Sequence, residues 1–380
     1  MKKIVILGST GSVGTSALDI ISRHRDLFTV VGLSAQKNVG LLAKQIKRFK
    51  PRFAAIGDES KYNELKKLLK TPKKILLGPG GIEELASMKE ADIVVVAISG
   101  ISAALPILSA IKAGKQIALS NKEAIVSAGP IIKSMAKTHG VKIIPVDSEH
   151  NSIFRCLEGR KKECVAKLYL MGTGGPLRKV SKSMFGKFSQ ARILAHPVWK
   201  MGKKISVDSA TMMNKGLELI EAHYLFGTEI KKIEILFHPE AIIHGMVEMK
   251  DGSVFAHMFI PDMRFPIMHA LCYPDVIQSR LPRIDFPDLG NFSFEKPNMK
   301  KFPALRLSYD AVKKGGTYPA ALNSANEEAV RLYLGGRIKF MKIIDIIEKV
   351  VTRHKTIKNP SIDQILHVAG WAKNETRRLC

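Results

Sequence analysis

Gly8-Ser9-Thr10-Gly11-Ser12-Val13-Gly14 is the stretch that decides the fold. It closes the apolar run Ile4–Gly8, read as a strand, and opens the amphipathic stretch Ser12–Arg23, read as a helix. G-x-x-G-x-x-G spacing lets the backbone approach a pyrophosphate seated at the helix N-terminus. Taken alone, the spacing also suits a plain tight turn. The strand–turn–helix context and the units that follow select the dinucleotide reading. Further β-branched runs occur at Phe28–Ser34, Phe53–Gly57, Lys74–Gly78, Asp92–Ile98, Gln116–Ser120 and Val141–Val146. Helical patterns at Val39–Phe49, Glu59–Leu69 and Ala103–Ala113 fill gaps between them. Such alternation predicts a doubly wound parallel sheet.

The end of the second strand run selects the cofactor. An NAD site carries an acid there, about 20 residues past the glycines, to hold the ribose 2′-hydroxyl. Here the chain reads Ser34-Ala35-Gln36-Lys37-Asn38, with no acid and one cation, which suits the 2′-phosphate of NADPH. Lys37 is equally compatible with an ordinary surface position.

Past residue 150 the rhythm changes. Lys232–Phe237, Ala241–Lys250 and Ser253–Ile260 read as strands, with Asp251-Gly252 as a hairpin turn. Pro261–Pro303 is proline-rich and aperiodic and reads as an extended linker, and Tyr318–Leu334, Ile338–His354 and Ser361–Arg378 read as helices.

Two groups of polar residues suggest chemistry. Val141–Val146 runs into Asp147-Ser148-Glu149-His150-Asn151, so Asp147 and Glu149 can converge at the C-terminal edge of a parallel sheet. Carboxylates without cysteine partners favour a hard cation, magnesium or manganese. Ile205–Glu221 then gathers Ser206, Ser209, Thr211, Asn214, Lys215, Glu218 and Glu221. Donors ahead of a helix suit a phosphate, and Glu218 or Glu221 could supply a third metal oxygen. The plainer reading is a capped helix, with Ser209 or Thr211 as the cap and both acids facing solvent.

Composition bounds these readings. A chain of 380 residues, 46% hydrophobic and 7% aromatic, supports two or three folded domains. No apolar run approaches the roughly 18 residues that span a bilayer. With the first strand starting near Lys3, no leader peptide is expected, and the expected location is the cytoplasm with no membrane partner. Cys156, Cys164, Cys272 and Cys380 lack C-x-x-C spacing. The formal charge of +26 comes from lysines and arginines spread along the chain, including Lys44–Lys50, Lys66–Lys74, Arg160–Lys167 and Arg337–Lys342. Without a basic–aromatic motif this reads as a surface that steers anionic substrates, and no nucleic-acid partner is expected.

Taken together, the Gly8–Gly14 turn, Asn121-Lys122-Glu123, Pro145–Asn151, Trp199–Gly202, Lys204–Glu221, the His244 strand and Pro261-Asp262-Met263-Arg264 resemble the 1-deoxy-D-xylulose 5-phosphate reductoisomerase family over nearly the whole chain. The resemblance implies an α/β protein with a Rossmann-like NADPH-binding domain at 1–146 and a catalytic α/β domain at 147–272. It further implies a linker at 273–300, a helical domain at 301–380, and a homodimer. The implied activity is metal- and NADPH-dependent rearrangement and reduction of a small phosphorylated sugar, in the non-mevalonate route to isoprenoids. Asp147, Glu149 and Glu218 then match metal ligands, with Glu221 as a supporting acid. Lys122 and Glu149 match catalytic residues, and Lys122 and Ser148 lie near substrate oxygens. Thr173, His196, Ser209, Asn214 and Lys215 match the phosphate grip. Thr10, Gly11, Ser12, Val13, Lys37, Asn38, Asn121 and Glu123 match cofactor contacts. Trp199 and Met201 fall on the family's closing loop, and no role is assigned to His150 or His244.

This chain departs from the family at Thr173, where serine is usual, at Gln36, where glycine is usual, and at Val198 and Lys200, where asparagine and serine are. Two rivals remain at this point. A semialdehyde dehydrogenase shares the glycine turn but needs a reactive cysteine, and a basic nucleic-acid-binding protein would need its charge gathered in one face.

Overall fold

The computed structural model describes residues 1–69, 74–199 and 201–380. It divides into two compact units. Unit 1 comprises residues 1–121, 131–147 and 262–281, and unit 2 comprises 122–130, 148–261 and 282–380. Part of the Lys66–Lys74 basic run, and Lys200, lie outside the described residues.

Unit 1 alternates β1 (Lys2–Leu7), α1 (Ser12–Arg23), β2 (Phe28–Ala35), α2 (Val39–Phe49), β3 (Phe53–Ile56), α3 (Tyr62–Leu68), β4 (Lys74–Leu77), α4 (Gly78–Ala86), β5 (Ile93–Val96), α5 (Ala104–Lys112) and β6 (Gln116–Leu119). α6 (Lys122–Thr138) begins in unit 2 and ends in unit 1, bending at Ala128 just before Pro130, and leads to β7 (Ile143–Pro145). Among the described residues the strands form one parallel sheet, in the order β4-β3-β2-β1-β5-β6-β7. The apolar runs are strands buried on both faces: Ile4 to Leu7 and Val94 to Val96 are fully covered. Strand order reverses between β1 and β5, the place where such sheets open a ligand crevice at their C-terminal edge.

Unit 2 contains α7 (Ser148–Leu157), β8 (Val165–Gly172), α8 (Gln190–Leu194), α9 (Lys203–Thr211), α10 (Met213–Phe226), β9 (Ile233–Phe237), β10 (Ile243–Met249) and β11 (Val254–Met258). Its described strands order as β11-β10-β8-β9. β10 and β11 form the expected hairpin, with Gly252 at φ +85° in the turn. β8 lies inside this sheet and was not among the expected strands.

The Pro261–Pro303 expectation needs correction. It contains α11 (Arg264–Cys272), which belongs to unit 1, where Arg264 pairs with Asp19 at 3.1 Å. α12 (Pro303–Lys314), α13 (Tyr318–Leu334), α14 (Lys342–Arg353) and α15 (Ile362–Arg378) complete unit 2. α15 opens on a capping box: Ser361 Oγ accepts from Gln364 N, and Gln364 Oε1 accepts from Ser361 N. α10 is wrapped by this helical layer, with Met213, Leu217 and Ile220 in one core with Phe302, Leu322 and Ala325.

The capped-helix reading of Ile205–Glu221 also fails. Two helices, α9 and α10, meet at Met212, which holds the left-handed conformation at φ +64°. That conformation strains a non-glycine residue. Met212 is 3% exposed, so burial of its side chain offsets the strain. Ser209 and Thr211 therefore end one helix, while Asn214 and Lys215 begin the next.

Candidate active site

In unit 1, the glycine turn after β1 is shaped by two close approaches. Gly8 has φ +85°, and a Cβ there would lie 2.6 Å from the Ala97 carbonyl oxygen. A Cβ on Gly14 would lie 2.4 Å from the Gly8 oxygen. Gly11 N donates to Gly8 O at 3.1 Å, and Gly11 is the N-cap of α1, with no capping side chain and no acid in the first turn. Thr10 to Val13 thus line a helix start suited to an anion. Asn38 Oδ1 caps α2 by accepting from Leu41 N at 3.1 Å, while exposed Lys37 stands 4.0 Å from Asp58. The Gln36 departure is housed by Gly57, since a Cβ on Gly57 would lie 2.3 Å from Gln36 Oε1. Asn121 is buried, and its amide donates to the carbonyls of Ile98 and Gly100 at 2.9 and 3.0 Å.

In unit 2, charged side chains converge in the interior. Lys122 Nζ, on the first residue of α6, donates to Asn214 Oδ1 and to Glu218 Oε1, each at 2.9 Å. Asn214 Nδ2 donates to the same carboxylate oxygen at 2.5 Å. Lys215 Nζ reaches Glu149 Oε1 and Met171 O, each at 2.6 Å, and bonds Glu218 Oε2 as well. Ser148 Oγ donates to Glu149 Oε2 at 2.5 Å. Glu218 is 1% exposed and Lys215 6%, so these charges persist only because they are paired.

The inward reading of the two acids of α10 holds over the plainer one: Glu218 and Glu221 are both buried. Glu221 is buried, with Oε2 3.6 Å from His150 Nδ1. His150 Nε2 lies 2.9 Å from the Glu218 carbonyl, which only accepts, so Nε2 carries the proton. His150 therefore fixes the backbone that presents Glu218.

A third group surrounds Thr173, the residue after β8. His196 Nδ1 accepts from Val198 N at 3.2 Å and Trp199 N at 2.9 Å. Two donors on Nδ1 leave Nε2 as the protonated nitrogen, and it donates to Thr173 Oγ1 at 3.1 Å. Burial, with the Lys215 charge second, pushes His196 down to about 4, so it is a neutral donor near pH 7. Gly175 N also donates to Thr173 Oγ1, at 3.3 Å. Gly175 has φ +64°, and a Cβ there would lie 2.8 Å from Ser209 O and 3.0 Å from Ser209 Oγ. The Thr173–Gly175 turn and Ser209 are therefore neighbours. A cavity of about 370 Å³ beside them is lined by Thr173, Gly175, Arg178, Lys179 and Arg192.

Glu123, expected at the cofactor, also accepts from Lys204 Nζ at 3.0 Å through its carboxylate. Lys204 and its second partner Asp208, at 2.8 Å, were not anticipated. Their i,i+4 spacing was the available signal. His244 stacks on Phe259 at 3.8 Å, faces Trp199 edge-on at 6.0 Å, and is pushed by burial down to about 3. The cysteine-nucleophile rival loses Cys156 as a candidate. Cys156 is buried, and burial pushes its thiol up to about 11, leaving no thiolate at neutral pH.

A family model described as 1-deoxy-D-xylulose 5-phosphate reductoisomerase matches residues 4–129. Two models of the same enzyme's C-terminal domains match residues 143–226 and 258–375. The chain is 45% identical over 378 residues to 1-deoxy-D-xylulose 5-phosphate reductoisomerase of Thermodesulfovibrio yellowstonii, covering 100% of this chain and 99% of that one. The chain belongs to the 1-deoxy-D-xylulose 5-phosphate reductoisomerase family. The Chlorobium limicola reductoisomerase is 44% identical, with both chains covered completely. Among solved reductoisomerase structures, that from Zymomonas mobilis in complex with NADPH is 40% identical with TM-score 0.93, covering 100% of this chain and 98% of that one. A DOX-P reductoisomerase in complex with NADPH, fosmidomycin and magnesium gives TM-score 0.95 at 34% identity, with the same coverage.

Proposed function

We propose that this chain converts 1-deoxy-D-xylulose 5-phosphate to 2-C-methyl-D-erythritol 4-phosphate, using NADPH and magnesium or manganese. The observation that carries the reading is the buried Glu149–Lys215–Glu218–Lys122 lattice of unit 2, in a chain 45% identical to a reductoisomerase over its full length. The donor set fits the metal. One ammonium, that of Lys215, bonds both carboxylates, so Glu149 and Glu218 face a common point that takes positive charge. Their ligand atoms are hard oxygens, suited to magnesium or manganese. Asp147, one residue before Ser148 in the chain, is the third proposed ligand. Bound there, the metal supplies Lewis-acid polarisation of a carbonyl, and NADPH supplies hydride.

The chain's own residues do the rest. Lys122 presents an ammonium to oxygen charge that develops during rearrangement. Ser148 orients Glu149 through its 2.5 Å hydrogen bond. The substrate phosphate is gripped by Thr173, Ser209, Asn214 and Lys215, with neutral His196 fixing the Thr173 hydroxyl. This grip orients without making bonds. Thr10, Gly11, Ser12 and Val13 seat the NADPH pyrophosphate, with Lys37 and Asn38 toward the 2′-phosphate and Asn121 and Glu123 as further contacts. No described helix is long and apolar enough to cross a membrane. The proposed working form is a cytoplasmic homodimer. Its support is four free cysteines and an edge strand, β11, that exposes Val254 and Phe255. Product analysis tests the reading: 2-C-methyl-D-erythritol 4-phosphate must form with NADPH, and markedly slower with NADH.

A further inference from the structure

Lys204 takes no part in the reading above, yet it is braced more firmly than any surface lysine needs to be. It is the second residue of α9. Its Nζ meets Glu123 Oε1 at 3.0 Å and Asp208 Oδ2 at 2.8 Å, with side-chain exposures of 28%, 10% and 1%. Asp208 in turn accepts from Asn326 Nδ2 of α13 at 2.9 Å. Burial works against the Lys204 charge, and the two carboxylates more than offset it, holding its pKa above the usual lysine value.

The position of this link gives it meaning. Glu123 is chain neighbour to Lys122, whose ammonium holds Asn214 and Glu218 of α10. Asp208 is chain neighbour to Ser209, which packs against the Gly175 turn. One ammonium thus ties the start of α6 to α9, the two elements that present Lys122 and Ser209. α9 cannot hold this setting through a continuous helix, because the chain breaks at Met212.

We propose that Lys204 is a positioning residue for turnover, which sets Lys122 through Glu123 and Ser209 through Asp208. The inference rests on the reductoisomerase reading. Without the ammonium, Glu123 and Asp208 are two carboxylates with no shared cation, and the first turn of α6 is free to shift. A shift of about 1 Å in a group that touches the reacting atoms costs on the order of 10²-fold in rate.

The test compares wild type, Lys204→Met, Lys204→Arg, Glu123→Gln and the Lys204→Met/Glu123→Gln double variant. Each is assayed as intact magnesium-loaded protein for kcat, NADPH dissociation constant by fluorescence, and thermal midpoint. Lys204→Met is expected to lose on the order of 10²-fold in kcat while NADPH affinity is kept. Lys204→Arg should recover most of that loss. The double variant should be no worse than the poorer single one, because both break the same link. Wild-type kcat in Lys204→Met, with only a lower midpoint, overturns the proposal. Independent, multiplying losses in the double variant overturn it as well. So does an intact kcat in Glu123→Gln with weakened NADPH binding, which assigns Glu123 to the cofactor alone. Should Lys204→Met fail to fold, Glu123→Gln and Lys204→Arg carry the test. An inactive wild type overturns the reductoisomerase reading itself, whereas an active wild type beside an equally active Lys204→Met overturns only the role of Lys204.

Discussion

Replacing Glu218 by glutamine removes one charge from a lattice in which every donor is already committed. Oε1 accepts from Lys122 Nζ at 2.9 Å and Asn214 Nδ2 at 2.5 Å, and Oε2 accepts from Lys215 Nζ. A glutamine amide can face one side with its oxygen. The other side then meets an N–H where it needs an acceptor, so one ammonium is left against a donor. Breaking a buried ion pair in this way costs about 3–5 kcal/mol. For a unit of this size that lowers the thermal midpoint by roughly 10 °C. The effect on turnover is separate. Loss of a carboxylate ligand removes several kcal/mol of metal-based stabilisation, and about 4 kcal/mol corresponds to roughly 10³-fold in kcat. The assay is NADPH oxidation with 1-deoxy-D-xylulose 5-phosphate at saturating magnesium, run below the variant's melting range. NADPH affinity, measured by fluorescence, should be unchanged. Near-normal turnover at saturating magnesium refutes the metal assignment of Glu218.

Thr173→Val keeps the shape but deletes the hydroxyl that accepts from His196 and Gly175. It should raise KM for the phosphorylated substrate by about tenfold or more, from about 1–3 kcal/mol of unmet hydrogen bonding, while Thr173→Ser stays close to wild type. Gly14→Ala places a Cβ 2.4 Å from the Gly8 oxygen, so NADPH binding should be lost in a fluorescence titration while magnesium binding survives. Acid should destabilise the fold through its buried histidines. His196 and His257 are pushed down to about 4 and His244 to about 3, chiefly by burial, whereas the unfolded value is near 6.5. Between those values the unfolded chain binds more protons. Their contribution is therefore complete above pH 6.5 and is lost as pH falls toward 4, which thermal midpoints at pH 7.5 and 5 will record. Removal of the metal by a chelator should stop turnover, whereas thiol-modifying reagents that reach exposed Cys164 and Cys380 should not.

Much of the molecule is legible in its sequence for identifiable reasons. Parallel strands buried on both faces must be nearly continuous apolar runs, so Ile93–Val96 and Phe53–Ile56 announce themselves. The Gly8 and Gly14 positions are set by close backbone approaches that exclude a side chain, so their spacing is a direct record of geometry. The i,i+3 spacing of Glu218 and Glu221 puts both on one face of α10, so the two are buried together.

Other features leave no local trace. The break at Met212 carries no glycine or proline, because side-chain burial rather than backbone chemistry supports it. β8 opens within the Arg160–Lys167 basic run, whose charge masks a strand that tertiary pairing with β9 and β10 imposes. α4 begins Gly78-Pro79-Gly80-Gly81, poor helix formers that hide it, yet proline is tolerated in the first turn of a helix. α11 is hidden because the proline-rich stretch around it dominates any window long enough to show periodicity. The Lys204 link joins residues 81 apart, which no local pattern can display.

The central claim is tested most directly by following NADPH oxidation on adding 1-deoxy-D-xylulose 5-phosphate to metal-stripped protein, before and after magnesium is restored. The account predicts no substrate-dependent oxidation without metal, and its full return with magnesium or manganese. Oxidation that proceeds equally in the presence of a chelator, or none with both metal and substrate present, would contradict it.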